Sequence, residues 1–103
     1  MAHIEFDFVP IYLSGDVLEM PVSLDCWKAS IVFLSPKKSD FTIDGIPWNC
    51  LYDTVGNIPF AERIELGGCV ANGSPVNIKH VLHFTTERGS PFQVLIVRQY
   101  YIQ

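Results

Sequence analysis

The chain predicts a mainly β protein, an antiparallel β-sandwich or small barrel with at most one short helix, around 59–66. Three observations carry this. Turn residues recur about every ten positions, the segments between them are alternating or rich in β-branched and aromatic residues, and no strand–helix–strand rhythm is present. The alternative is an α+β arrangement with that one helix on a curved antiparallel sheet. With 103 residues, 49% of them apolar and only 17% charged, the chain is too hydrophobic for disorder, and its size fits one β-rich domain over 1–103.

The elements follow in order. Ile4, Phe6 and Phe8 alternate with His3, Glu5 and Asp7, which predicts a half-buried strand with the aromatics inward and an acidic outer face. Pro10 supplies no ladder donor, so the strand ends, bends or runs on an edge there. Ile11–Leu13 and Val17–Met20 flank Ser14-Gly15-Asp16 and read as a hairpin. Between Ser23 and Leu34 the pattern fits both a helical face and an alternating strand; β-branched Ile31 and Val32 beside Phe33, followed by Ser35-Pro36, favour a strand over 27–34.

Lys37 to Asp40 reads as a polar turn, and Phe41-Thr42-Ile43 as a short strand stopped by Asp44-Gly45. Ile46 to Tyr52 would be its return. The helix is expected over Pro59–Leu66, with Asn57 as a cap and Gly67-Gly68 as the stop. Beyond it, Val76–Thr86 and Phe92–Ile102 are long β segments that the Gly89-Ser90-Pro91 turn would join as a hairpin. Val94-Leu95-Ile96-Val97 is nearly continuous apolar sequence, which predicts a central strand buried on both faces or facing a second chain.

Charge is unevenly distributed. Positions 1–27 carry five of the eleven acids, Glu5, Asp7, Asp16, Glu19 and Asp25, with no Lys or Arg, while the rest holds six acids against seven bases. Glu5 and Asp7, two apart on one strand face, lie about 7 Å from each other and repel by roughly 0.6 kcal/mol in water, a cheap arrangement. Such a face blocks aggregation at a sheet edge, or it steers and seats a basic partner. Glu5, Asp7, Asp16, Glu19 and Asp25, with Tyr12 and Trp27 as aromatic anchors, are therefore the candidate partner-binding residues.

Other chemistries lack a motif. His80 and His83 are three apart, so on a strand they point to opposite faces and make an awkward metal pair; no metal site is expected. Cys26 and Cys50 sit in apolar contexts that keep a thiol inert, and Cys69, after two glycines, is the most exposed; neither Cys69 nor His83 has an assigned chemical role. No phosphate-binding glycine frame, no cofactor motif and no clustered basic patch for nucleic acid is present, and no apolar run spans a bilayer. Three cysteines outside any C-x-x-C unit and no visible secretory signal favour the cytoplasm.

The functional expectation is a non-enzymatic protein-binding module. Its first form is a small acidic inhibitor or immunity protein that neutralises a basic target such as a nuclease toxin by offering carboxylates in place of phosphates. Its second is a structural or assembly subunit that oligomerises through its sheet, and a small-ligand domain or enzyme is the third; the protein itself is expected as a monomer or a dimer.

Overall fold

The computed structural model describes residues 2–35, 41–47 and 63–103. Ten strands are described: β1 (His3–Leu13), β2 (Glu19–Cys26), β3 (Lys28–Phe33), β4 (Phe41–Ile43), β5 (Ile46–Pro47), β6 (Arg63–Gly67), β7 (Val70–Ala71), β8 (Ser74–Pro75), β9 (Ile78–Thr85) and β10 (Phe92–Ile102). Sheet I has the order β1-β10-β3-β6 and sheet II the order β2-β9-β4-β5, with β7 and β8 forming a separate small ribbon. Every pairing is antiparallel. Over the described residues the protein is thus an all-β sandwich, and none of them form a helix long and apolar enough to cross a membrane.

The pairings are nested: β1 with β10, β2 with β9, β3 with β6, and β4 with β5. This is one long hairpin whose tip is the Asp44-Gly45 turn, wrapped so that, apart from β4 and β5 at that tip, its successive strands alternate between the two sheets and β10 closes against β3. Such a wrapped order defines a jelly roll, and β7–β8 is an insertion into it. Asp44 and Gly45 both have positive φ, 53° and 83°, the conformation that a tight two-residue turn demands and that Asp-Gly supplies.

The wrapping corrects two expected hairpins. Ser14-Gly15-Asp16 does reverse the chain, with Val17 N–H donating to Ser14 O at 3.1 Å, but β1 and β2 then enter different sheets. The Gly89 turn likewise carries β9 of sheet II over to β10 of sheet I. Both turns arch across the core at the same end, where Arg88 Nη1 meets Asp16 Oδ1 at 3.2 Å. At the other end a single residue, Trp27, separates β2 from β3 and turns the chain from sheet II into sheet I.

The expected helix is corrected over its described part. Arg63 to Leu66 lie in β6, registered on β3 from Val32↔Arg63 to Lys28↔Gly67, and 59–62 lie outside the described residues. The reason is period two: Ile64 is buried and Leu66 packs on the core, while Arg63 and Glu65 face out. The polar turn at 37–40 and the return strand beyond Pro47 also lie outside the described residues.

The core fills the space between the sheets. Phe33 and Phe92 of sheet I meet Phe41 and Phe84 of sheet II, with ring centroids 5.3 Å apart for Phe33–Phe41 and 5.6 Å for the stacked Phe41–Phe84 pair. Ile11, Leu13, Ile31, Val94 and Ile96 from sheet I and Val22, Leu24, Ile43 and Leu82 from sheet II surround them. β10 is central in sheet I as expected, buried on its inner face through Phe92, Val94 and Ile96 and half-covered on its outer face at Leu95 and Val97.

Candidate interaction surface

The decisive feature of the surface is the phase of β1. Its pairing with β10 is unbroken from His3↔Ile102 to Leu13↔Phe92, so no bulge switches its faces and side-chain parity holds along all eleven residues. Ile11 and Leu13 are buried in the core and Val9 packs against it. Odd residues therefore face inward, and Ile4, Phe6, Phe8, Pro10 and Tyr12 face out. Phe6 is 56% exposed, Phe8 63% and Tyr12 55%.

This inverts the expected orientation of the strand. The alternation over residues 3–8, taken alone, is equally compatible with either face; Val9, Ile11 and Leu13 carry a second apolar set on the opposite phase. Only one set can enter the core. The three-residue set beside the interior aromatics wins, and the Phe6–Phe8 set is left outside.

The acids then go elsewhere. Glu5 and Asp7 lie on the inner side of β1, and Asp7 is spent on its neighbour: Arg98 Nε and Nη2 donate to Asp7 Oδ1 and Oδ2 at 2.8 and 2.7 Å, and Tyr100 Oη donates to Oδ2 at 3.3 Å. The hydrogen bond with Asp7 holds the Arg98 guanidinium above its ordinary value, and burial pushes the Tyr100 phenol up. Glu5 meets His3 Nε2 at 3.1 Å, Asp16 lies on the arch with Arg88, and Glu19 and Asp25 face out from β2 in sheet II, near His83 and Asn77. Trp27 is a corner post, its Nε1 donating to Cys69 O at 3.1 Å and its ring set edge-on to Tyr101 at 5.9 Å. Gly67 makes that corner possible, because a Cβ there would stand 2.5 Å from Trp27 O. The seven candidate residues are thus spread over an inner face, an outer face, an arch and both sheets.

What the structure does bring together is an apolar outer face on sheet I. Across β1 and β10 the outward pairs are Ile4↔Tyr101, Phe6↔Gln99, Phe8↔Val97, Pro10↔Leu95 and Tyr12↔Gln93, and Val32 of β3 continues the row beside Leu95. The far side of the face is polar but self-contained: Glu65 accepts from Lys28 Nζ at 3.1 Å and Arg63 Nε at 2.6 Å, and Arg63 Nη2 donates to the buried Ser30 Oγ at 3.1 Å. Burial there works against the Glu65 carboxylate, yet Lys28 and Arg63 hold it below its ordinary value.

The free edge of β1 is guarded. Leu34 N–H donates to Gln93 O, so odd residues of β10 turn their peptide groups to β3 and even ones to β1, which leaves the even residues of β1 facing the open edge. Pro10 is among them and interrupts that row of donors, while Asp7 is an inward-pointing charge on an edge strand; both discourage another strand from adding there. The expectation that Pro10 would mark an edge thus fits its place in the sheet.

Sheet II carries the remaining polar cluster. Asp44 accepts from Val81 N–H at 2.8 Å and meets His80 Nδ1 at 2.7 Å; the Val81 hydrogen bond first and His80 second hold its carboxyl below the ordinary range. Both line a shallow depression of ≈ 230 Å³ with Ser23, Asp25 and Lys79. His83 has the opposite parity on β9 and lies across from Pro21 and Thr42. Among the described residues no group of three or more His, Cys, Asp or Glu is placed to hold a metal ion. Cys26 is buried, which pushes its thiol up, and Cys69 is exposed; Cys50 lies outside the described residues. Comparison of the chain with family models, curated proteins and solved structures returns no match.

Proposed function

We propose that this jelly-roll protein is a non-catalytic binding or assembly module that works through the outer face of sheet I. The observation that carries the reading is the exposure of Phe6, Phe8 and Tyr12 in one column on an eleven-residue strand. Monomeric proteins leave contiguous apolar patches of this kind open mainly where something else covers them. Aromatic side chains held by a sheet lose little conformational freedom on docking, which suits them as anchors. The wrapped two-sheet fold also serves as a building block in protein shells and as a carbohydrate-binding scaffold, an analogy of fold that favours interaction over chemistry without fixing it.

The test places a photo-crosslinking amino acid at position 8 and, as a control, at position 81 on the outer face of sheet II, in the protein expressed in its native cell. A discrete adduct from position 8 with none from position 81 is expected. No adduct from position 8, or equal adducts from both, overturns the reading.

A second reading keeps the inhibitor of a basic target, because Glu19 and Asp25 are exposed on the outer face of the edge strand β2, with Asp16 on the neighbouring arch. Replacing these three acids with Lys would slow association with such a target by an order of magnitude or so at low salt and flatten its salt dependence. An unchanged association rate sinks it.

A further inference from the structure

Resting on the sheet I reading, we infer that the occupant of this face is a second copy of the same chain, packed face to face about a two-fold axis with the Phe6–Phe8 columns at its centre. Charge supports a like partner. The charged residues of the face, Lys28, Arg63 and Glu65, sit together on its β3–β6 side with a net charge of only +1, so two copies packed about the Phe6–Phe8 columns do not oppose like charges, whereas a strongly charged partner would find at most one uncompensated charge to pair with. The uncompensated acids of a chain with net charge -4 stay apart: Glu19 and Asp25 belong to sheet II, which points away from the two-fold.

Area supports the same assignment. An aromatic side chain offers about 150–250 Å², so Phe6, Phe8 and Tyr12 at more than half exposure present roughly 300 Å² between them. Ile4, Leu95, Val97 and Val32 extend this into a patch at the upper end of what monomers leave open, about 300–600 Å². Doubled across a two-fold and rimmed by Gln93 and Gln99, it reaches the lower range of specific interfaces, on the order of 1,200 Å² in total. The expected contact is a reversible dimer.

Geometry selects the face over the edge. A strand added to β1 would meet Pro10 in the row of hydrogen-bonding positions, and antiparallel self-pairing centred on Phe6 or Asp7 would set acidic residues of the two copies opposite one another. Stacking the outer faces avoids both, since sheets packed about 10 Å apart interdigitate side chains and leave the edges untouched.

Sedimentation equilibrium on the full chain tests the inference. The mass is expected to rise from 11.6 kDa toward twice that value between about 1 and 500 µM. Phe6→Ser/Phe8→Ser should hold the mass at the monomer value throughout, with an unchanged far-ultraviolet spectrum and, at a concentration where the wild type is monomeric, an unchanged melting curve, and Val81→Ser on sheet II should dimerise as the wild type does. Should the double variant fail to fold, Tyr12→Ser, at the rim of the same patch, replaces it and should weaken the dimer several-fold. A wild type that stays monomeric overturns the second-copy assignment; a crosslink at position 8 to a different protein would then preserve the face reading, so the two failures are distinguishable. A dimer indifferent to these sheet I substitutions overturns the proposed contact.

Discussion

The outer faces of the two sheets have been built by opposite rules around the same core. On sheet II, Glu19, Ser23 and Asp25 alternate with buried Val22, Leu24 and Cys26, and β9 sets Lys79, His83 and Thr85 outward beside them, with Val81 among them, in the main the apolar-in, polar-out pattern of a sheet that faces water. On sheet I, β1 and β10 are apolar on both faces: Ile11 and Val94 inside, Phe8 and Val97 outside. The core needs only one apolar face from each sheet. Sheet I carries a second apolar face that folding does not use, and that surplus is where function is to be sought.

The sharpest way to break this comparison is to remove one phenylalanine from each side of it. Phe84 is fully buried on the inner face of sheet II, stacked on Phe41 and near Phe92, so Phe84→Ala should cost about 3–5 kcal/mol through lost burial and the cavity left behind. Phe8→Ser, on the outer face of sheet I, should change the stability of the monomer by no more than about 0.5 kcal/mol. Urea unfolding at a concentration too low for self-association gives both numbers. Comparable losses at the two positions would mean that Phe8 is part of the core after all.

A smaller effect sharpens the view of β1 as a strand with two jobs. Asp7→Ala leaves the Arg98 guanidinium, about a quarter exposed, without its bidentate partner, and should cost about 1–2 kcal/mol, since hydrogen bonds between charged groups exceed neutral ones and water only partly replaces them. Removing Asp7 also removes the inward charge from the edge, so a rise in aggregation on heating is expected alongside the lower urea midpoint. Asp7→Ala with wild-type stability would show that the pair is spent on edge protection alone. Glu5→Ala, whose contact is the exposed His3, serves as the control and should be near neutral.

The sequence made the local parts of this fold readable and left their assembly hidden. Asp44-Gly45, Ser14-Gly15-Asp16 and Gly89-Ser90-Pro91 all announce chain reversal, and all three reverse the chain. Whether a reversal joins hydrogen-bonded neighbours, as at Gly45, or arches over the core, as at Gly15 and Gly89, depends on which strands lie opposite; those are set by nested contacts between residues as distant as His3 and Ile102, which no local pattern encodes. β6 shows the same limit on a smaller scale, because Arg63-Ile64-Glu65-Leu66 is four residues of period two beside two glycines, and its strand character comes from pairing with β3. The candidate surface was half legible. The apolar run at Val94–Val97 already suggested a second covered face, but the orientation of Phe6 and Phe8 followed from the competing phase of Val9, Ile11 and Leu13.

The last contrast is between two carboxylates, Asp7 on the inner side of β1 and Asp44 exposed in the turn between β4 and β5. Asp7 is held by a guanidinium that carries its charge at every accessible pH, while Asp44 is held by the Val81 N–H and by His80, an imidazole charged only when protonated. Because its folded-state value is depressed, Asp44 contributes stability that is present above its ordinary carboxylate value and is lost as the pH falls through its folded value. Asp44→Asn keeps an acceptor for Val81 N–H and removes the charge, so the variant should lie slightly below the wild type at neutral pH, and the two should converge in acid. Urea midpoints measured between about pH 7 and pH 2 resolve the convergence. Curves that stay parallel to the lowest pH would show that the carboxylate charge does nothing for the fold, and that the β4–β9 junction is held by the Asp44 backbone bond to Val81 O and the neutral side-chain contact alone.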